Sequence, residues 1–122
     1  MKPHIESTAF GSIAIDGAVF GHDVVIGTDG LVTKRRKKLS KAVYGTSHTI
    51  SLAEAEYLFE QGGAADCLIV GSGQYGNVEL APEAAAYLER RKCRVLLLPT
   101  PEAIEAWNNT EVEAIGLFHV TC

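Results

Sequence analysis

Apolar positions in the first 35 residues come in short runs broken by turn residues. "SIAIDGAVF" and "VVIGTDGLVTK" each set Asp-Gly between two apolar runs, a strong hairpin signal because glycine accepts a positive φ. The pattern predicts a β-meander over residues 4–35, with strands at 4–8, 12–15, 18–20, 23–27 and 30–35. A basic run follows, and "VYGTSHTI" then reads as a loop or short extended piece. Beyond residue 50 the pattern becomes α/β. Ser51 and Glu54 form a capping box ahead of "LAEAEYLFEQ", and Gly62-Gly63 stops that helix. "CLIVG" is apolar throughout, as expected of a strand buried on both faces. Pro82 and Glu83 open a helix over 82–92 whose last turn is basic, in keeping with the helix dipole. Strand 94–98 is "RVLLL"; Thr100-Pro101-Glu102 then caps and opens the next helix, where Ala103, Ile104 and Trp107 share one face as core residues. "VEAIGLFHV" is the last strand and a central one. The whole is a single α/β domain spanning residues 1–122.

Composition narrows the functional classes. Hydrophobic residues make up 47% and charged residues 21%, ordinary for a soluble domain. No apolar run reaches the length of a membrane span, and the N-terminus has neither a signal h-region nor an Arg-rich transit pattern, so a cytoplasmic prokaryotic protein is expected. Cys67, Cys93 and Cys122 are odd in number and far apart, with no C-x-x-C, and suggest neither a disulfide framework nor a zinc knuckle. Cys67, opening an apolar strand, is expected in the core. The net charge is −4, yet six of the eleven Lys and Arg residues fall within 34–41 and four within 90–94. Such a block is either a solvated, mobile segment or a contact for an anionic partner. The acidic total argues against nonspecific nucleic-acid binding.

"LIVGSGQYG" contains a complete G-x-G-x-x-G after a strand. In the dinucleotide fingerprint the third glycine lies inside the following helix, whereas here "NVEL" separates Gly76 from the helix at Pro82. The next strand ends Leu98-Pro99-Thr100, without the acidic residue that would bind a ribose, and no Gly-Lys-Ser/Thr follows for a Walker A loop. No cofactor is therefore assigned. Strand 67–71, helix 82–92 and strand 94–98 still make a β-α-β unit, which brings the loops at 71–76 and 99–101 to one sheet edge. Gly71 and Gly73 would offer backbone N–H groups there, and the helix start at Thr100 would add a positive dipole end for a small anion. The plainer alternative is a tight turn.

His119 and Cys122 lie three apart, so in a continuous strand they point to opposite faces and converge only if the chain bends after Val120. In so apolar a strand His119 reads as a hydrogen-bonded core residue, and a terminal carboxylate on Cys122 disfavours a thiolate. "YGTSH" gathers Tyr44, Thr46, Ser47 and His48, either as a turn feeding the helix at 51 or as part of a hydroxyl-rich pocket with Ser72 and Thr100. Motifs of serine hydrolases and glycosidases are missing.

Taken together, "LIVGSGQYG", "LAPEAAAYLERRKCRVLLLPTPEAIEAWN" and "GLFHVTC", with "FGSIAIDG", "DVVIGTDG" and "YGTSH", resemble the family named for the Mth domain over nearly the whole chain. That family includes the adipogenesis-associated Mth domain-containing protein and, more distantly, an assembly factor of mitochondrial NADH dehydrogenase. The resemblance implies a three-layer α/β fold with a mixed central sheet flanked by helices, one strand antiparallel, and additional N-terminal β-structure. It implies no reaction and carries over no catalytic residue. The assembly-factor branch lacks the F-H-x-T-C ending present here at 118–122.

Two functions follow. The first is a non-enzymatic interaction or assembly-type module meeting a protein partner through Lys34, Arg35, Arg36, Lys37 and Lys38. The second is a binder of a small anion or metabolite, or an enzyme of unrecognised type, using Gly71, Ser72, Gly73, Gln74 and Thr100 with Ser47, His48 and His119. No metal ligand is assigned, and whether His119 reaches the crevice depends on the direction of the last strand.

Overall fold

Leu68-Ile69-Val70 and Ile115-Gly116-Leu117 carry no polar side chain because both faces of their sheet are covered. The computed structural model describes residues 2–122. Its central sheet has the order β5 (Val32–Lys34), β4 (Val24–Ile26), β10 (Ala114–His119), β7 (Cys67–Ser72), β9 (Arg94–Leu98). Strands β10, β7 and β9 are parallel, β4 runs against β10, and β5 runs against β4. The reversed strand is therefore β4, and β10 ends on the same edge as β7.

Side-chain alternation along these strands divides the core in two. On one face Leu68, Val70, Ile115 and Leu117 pack under α2 (Leu52–Gly62) and α3 (Pro82–Arg90) through Leu58, Ala84 and Leu88. On the other, Ile69 and Phe118 meet Ile104 and Trp107 of α4 (Thr100–Asn109). That second face is completed by an antiparallel sheet of β1 (Ile5–Ala9), β2 (Ser12–Ile15) and β3 (Ala18–Phe20), which contributes Ile5, Ile13 and Ile15. Trp107 and Asn108 tie the small sheet to α4. Trp107 Nε1 donates to the Pro3 carbonyl at 3.0 Å, and Asn108 exchanges two hydrogen bonds with the Ile5 backbone. Cys67 is buried in this core, as expected.

Two expectations need correction. The meander over 4–35 is not one sheet: β1–β3 form their own, whereas β4 and β5 join the central one. The basic run is not irregular throughout, because residues Lys38–Tyr44 form a helix, α1. It has no side-chain cap and no acidic residue in its first turn, so nothing local announces its start, and only the left-handed Gly45 and Lys41 mark its end. A two-residue parallel ladder, β6 (Thr49–Ile50) with β8 (Glu79–Leu80), links the segments before α2 and α3. No helix among the described residues is long and apolar enough to cross a membrane.

Gly116 lies where β10 passes beneath α4, and a Cβ there would stand 2.6 Å from the Phe118 ring and 3.1 Å from Trp107. Gly116→Ala should destabilise the fold by about 1–3 kcal/mol through overpacking, seen as a lower urea midpoint with an unchanged slope.

Candidate functional site

Asp23 immediately precedes β4 in a fully buried position, and Arg35 follows β5 almost equally buried. Arg35 Nη1 donates to Asp23 Oδ2 at 3.0 Å, while Nε and Nη2 grip both oxygens of Glu54 at 2.7 and 3.0 Å. Its Nη2 also donates to the Ser47 carbonyl at 2.8 Å. Glu54 sits at the third position of α2, where a capping-box glutamate would reach back to the Ser51 N–H. Here it turns to Arg35 and Ser40, and Ser40 Oγ accepts the Ser51 N–H instead. The Ser51 half of the box holds: its hydroxyl accepts the Glu54 N–H at 3.1 Å.

Asp23 also faces the end of β10. Its Oδ2 accepts from His119 Nδ1 at 2.8 Å and its Oδ1 from the Val120 N–H at 2.9 Å. Burial alone would raise the Asp23 pKa. The hydrogen bonds from His119 and Val120, with the charges of His119 and Arg35, outweigh it and hold the carboxyl well below the usual range. An ionised Asp23 can only accept, so His119 carries its proton on Nδ1 and turns Nε2 away from the network when neutral.

The glycine loop is closed. Gly73 N–H donates to Thr100 Oγ1 and the Gly73 carbonyl accepts Thr100 N–H, both at 2.9 Å, while Thr100 Oγ1 donates to the His119 carbonyl. The N–H groups of Gln74, Gly76 and Asn77 go to the carbonyls of Thr121, Gly73 and Cys122. Gly73 has φ near +105°, and a Cβ on it would lie 2.5 Å from the Cys122 backbone. The donors expected to receive an anion thus bind the chain itself. Gly71 and Ser72 are buried, and the Gln74 amide reaches Thr8 at 3.0 Å, tying the loop to the N-terminal sheet. Thr100 is no cap either, since its hydroxyl clamps Gly73 to His119. Ser47 offers its carbonyl to Arg35 and belongs to the charge network.

What does come together is His48, His119 and Cys122. β10 ends at His119 and the chain leaves the sheet, which provides the bend that the spacing required. The two imidazoles meet edge to face at 5.3 Å between centroids, and Cys122 Sγ lies 3.8 Å from His48 Nε2. One ligand-type atom from each residue lies within 4.8 Å of the others. Thr121 Oγ1 is 3.0 Å from His119 Nε2. The sequence reading named no metal ligand and set Cys122 aside; His119-x-x-Cys122 was the available signal.

The basic segment divides. Arg35 is 3% exposed and belongs to the interior, which removes it from any partner-contacting face. Lys37 leans on Asp23 Oδ2 at 3.7 Å, and Arg36 lies over the Tyr57 ring at 5.3 Å. Lys34, Lys38 and Lys41 are open to solvent to varying degrees.

Removing one partner of a buried ion pair leaves the other charge uncompensated. Arg35→Ala should therefore cost about 3–5 kcal/mol, whereas Lys38→Ala should stay within about 0.5 kcal/mol, both measured by urea unfolding. The Asp23 pKa is lower folded than unfolded. Its contribution is thus complete above the ordinary carboxylate range, about pH 4, and is lost as pH falls below it towards the folded value. Asp23→Asn should flatten that acid limb when stability is plotted against pH.

A family model described as a protein of unknown function (DUF498/DUF598) matches residues 5–114. A conserved hypothetical protein of Pyrococcus horikoshii OT3, PH1505, is 35% identical with a TM-score of 0.87, covering 97% of this chain and 98% of its own. A protein called MT938 is 34% identical with a TM-score of 0.81, over 99% of this chain and 100% of its own. A Mth938-like domain of Bordetella pertussis shares the fold at 17% identity, with a TM-score of 0.67 over 97% of this chain and 85% of its own. The chain belongs to the DUF498/DUF598 family of proteins of unknown function, and the Mth-domain resemblance read from its sequence holds.

Proposed function

We propose that this protein is an interaction module that receives an acidic protein segment on the face formed by β5 and α1. The observation that carries this reading is a basic trough beside the sheet edge. A surface depression of about 390 Å³ lies between β5 and α2, lined by Leu31, Lys34, Arg36 and Tyr57 with one carboxylate, Asp29. A second, of about 430 Å³, is lined by the segment from Lys34 through Leu39 to Lys41, and the two share Lys34 and Arg36. β5 is the last strand of its sheet, with one flank unpaired, and Leu31 before it is 62% exposed. An unpaired edge, an exposed apolar side chain and several cations are what an extended acidic segment would use. On a chain of net charge −4 the positive field is local. That favours a short acidic stretch over a nucleic-acid backbone, which needs a broad basic face.

The small-anion reading at residues 71–76 finds less support, since the N–H groups of Gly73, Gln74 and Gly76 are bonded within the chain.

The test is a triple charge reversal, Lys34→Glu with Lys38→Glu and Lys41→Glu, which leaves Arg35 and Lys37 in place. Partners captured by the wild type and identified by mass spectrometry should bind the variant more than about tenfold more weakly. Wild-type binding should also weaken steeply with salt. Equal affinity for a reconstituted partner, in a variant with an unchanged melting temperature, would remove this face from the function.

A further inference from the structure

We infer that His48, His119 and Cys122 form a zinc site with three protein ligands, separate from the basic trough. Three observations converge on it. The first is proximity: two imidazoles and a thiol from three separate positions in the chain lie within 4.8 Å of one another by their donor atoms. Tetrahedral zinc with bonds of 2.0–2.3 Å places such atoms roughly 3.5 Å apart. The Cys122 Sγ to His48 Nε2 separation of 3.8 Å nearly meets this, and the other separations, at most 4.8 Å, would close by movement of the partly exposed His48 and Cys122 side chains towards His119.

The second is orientation. Zinc-bound histidines usually donate their other ring N–H to a carboxylate or carbonyl, which sets the tautomer and raises the basicity of the ligating nitrogen. Asp23 does this to His119 Nδ1 at 2.8 Å, and Arg35 and the Val120 N–H hold Asp23 in turn. His119 Nε2 therefore presents a lone pair towards Thr121 and Cys122, and metal on Nε2 would replace the Thr121 hydroxyl as its partner.

The third separates a metal site from a thiol nucleophile, which the same residues could also suggest. Acyl transfer by a cysteine needs donors, commonly backbone N–H groups, free to stabilise an oxyanion. The nearby N–H groups of Gly73, Gln74, Gly76 and Asn77 are all bonded within the chain. A second imidazole beside the sulfur adds little to a nucleophile but completes a ligand set. Two neutral imidazoles and one thiolate suit zinc in chemical type, and the three-ligand count leaves one position for water or a partner's donor.

Reduced, metal-free full-length protein would be titrated with Co²⁺ as a spectroscopic probe and then with Zn²⁺ against a chromophoric chelator. The expected result is one equivalent of Co²⁺ with a thiolate charge-transfer band and tetrahedral visible bands, displaced by Zn²⁺. Cys122→Ser should abolish the thiolate band although Cys67 and Cys93 remain, and His48→Ala should weaken zinc at least about 100-fold, beyond the loss typical of an outer-shell partner. Cys122 and His48 are partly exposed, so both variants should keep the wild-type circular dichroism. Saturating Zn²⁺ should also protect Cys122 from iodoacetamide. Any of three results overturns the assignment: no stoichiometric binding by the wild type, binding indifferent to both substitutions, or Cys122 alkylated equally fast with and without zinc. The last, together with rapid alkylation, would identify a reactive thiol instead.

Discussion

A guanidinium enclosed among two carboxylates joins four separate parts of this fold. Arg35 holds Asp23 at the start of β4, Glu54 in the first turn of α2 and the carbonyl of Ser47 before β6, while Ser40 of α1 shares Glu54. Asp23 carries the linkage on to His119 and Val120 at the end of β10. Desolvating these charges is expensive, and a buried ion pair is seldom a net source of stability. Its effect is on geometry. Once the groups are inside, each oxygen and N–H must find its partner, and among the described residues no buried side-chain polar atom lacks one. Ser40 ties α1 to this network, and Val120 ties the chain after β10 to it.

The glycine-rich loop illustrates how one sequence pattern serves two kinds of close approach. In nucleotide sites, glycines let a phosphate come near the backbone. In this protein the near neighbour is the chain itself: Gly73 lies against Cys122 and His119, and Gly71 against Phe118 and Thr100. The absence of a Cβ is needed in both cases, so the glycines alone do not distinguish them. The hydrogen bonds do. Thr100 occupies both polar groups of Gly73, and the segment after β10 occupies the N–H groups of Gln74 and Asn77.

Asp23 Oδ2 lies within bonding distance of Arg35 and His119, and Lys37 is 3.7 Å away. One oxygen therefore faces both the basic segment and the histidine–cysteine cluster. The arrangement gives His119 a fixed tautomer and orientation, and it does so from residues whose neighbours form an exposed cationic surface. Interior and surface roles alternate residue by residue between Lys34 and Lys38, which is how a strand end and a short helix present opposite faces.

The α/β class and the elements beyond residue 50, apart from the two-residue β8, are legible in the order of residues. Apolar runs, the Ser51 cap, and the prolines at 82 and 101 act over a few residues, and their consequences are local. The family is legible too, in the combination of the G-x-G strand end, Trp107-Asn108 and the F-H-x-T-C ending; in this chain Trp107 and Asn108 hold the N-terminal sheet, and Val120 holds the sheet edge through Asp23. Other features emerge only once the chain is packed: Arg35 is interior while its basic neighbours are not, β4 rather than β10 runs reversed, and α1 is a helix despite an uncapped start. The meeting of His48, His119 and Cys122 is of the same kind. Burial of a charge depends on partners 12 and 19 residues away, and the cluster joins positions 74 residues apart. No local propensity encodes such contacts; they arise when packing of two cores brings the strand ends to one edge.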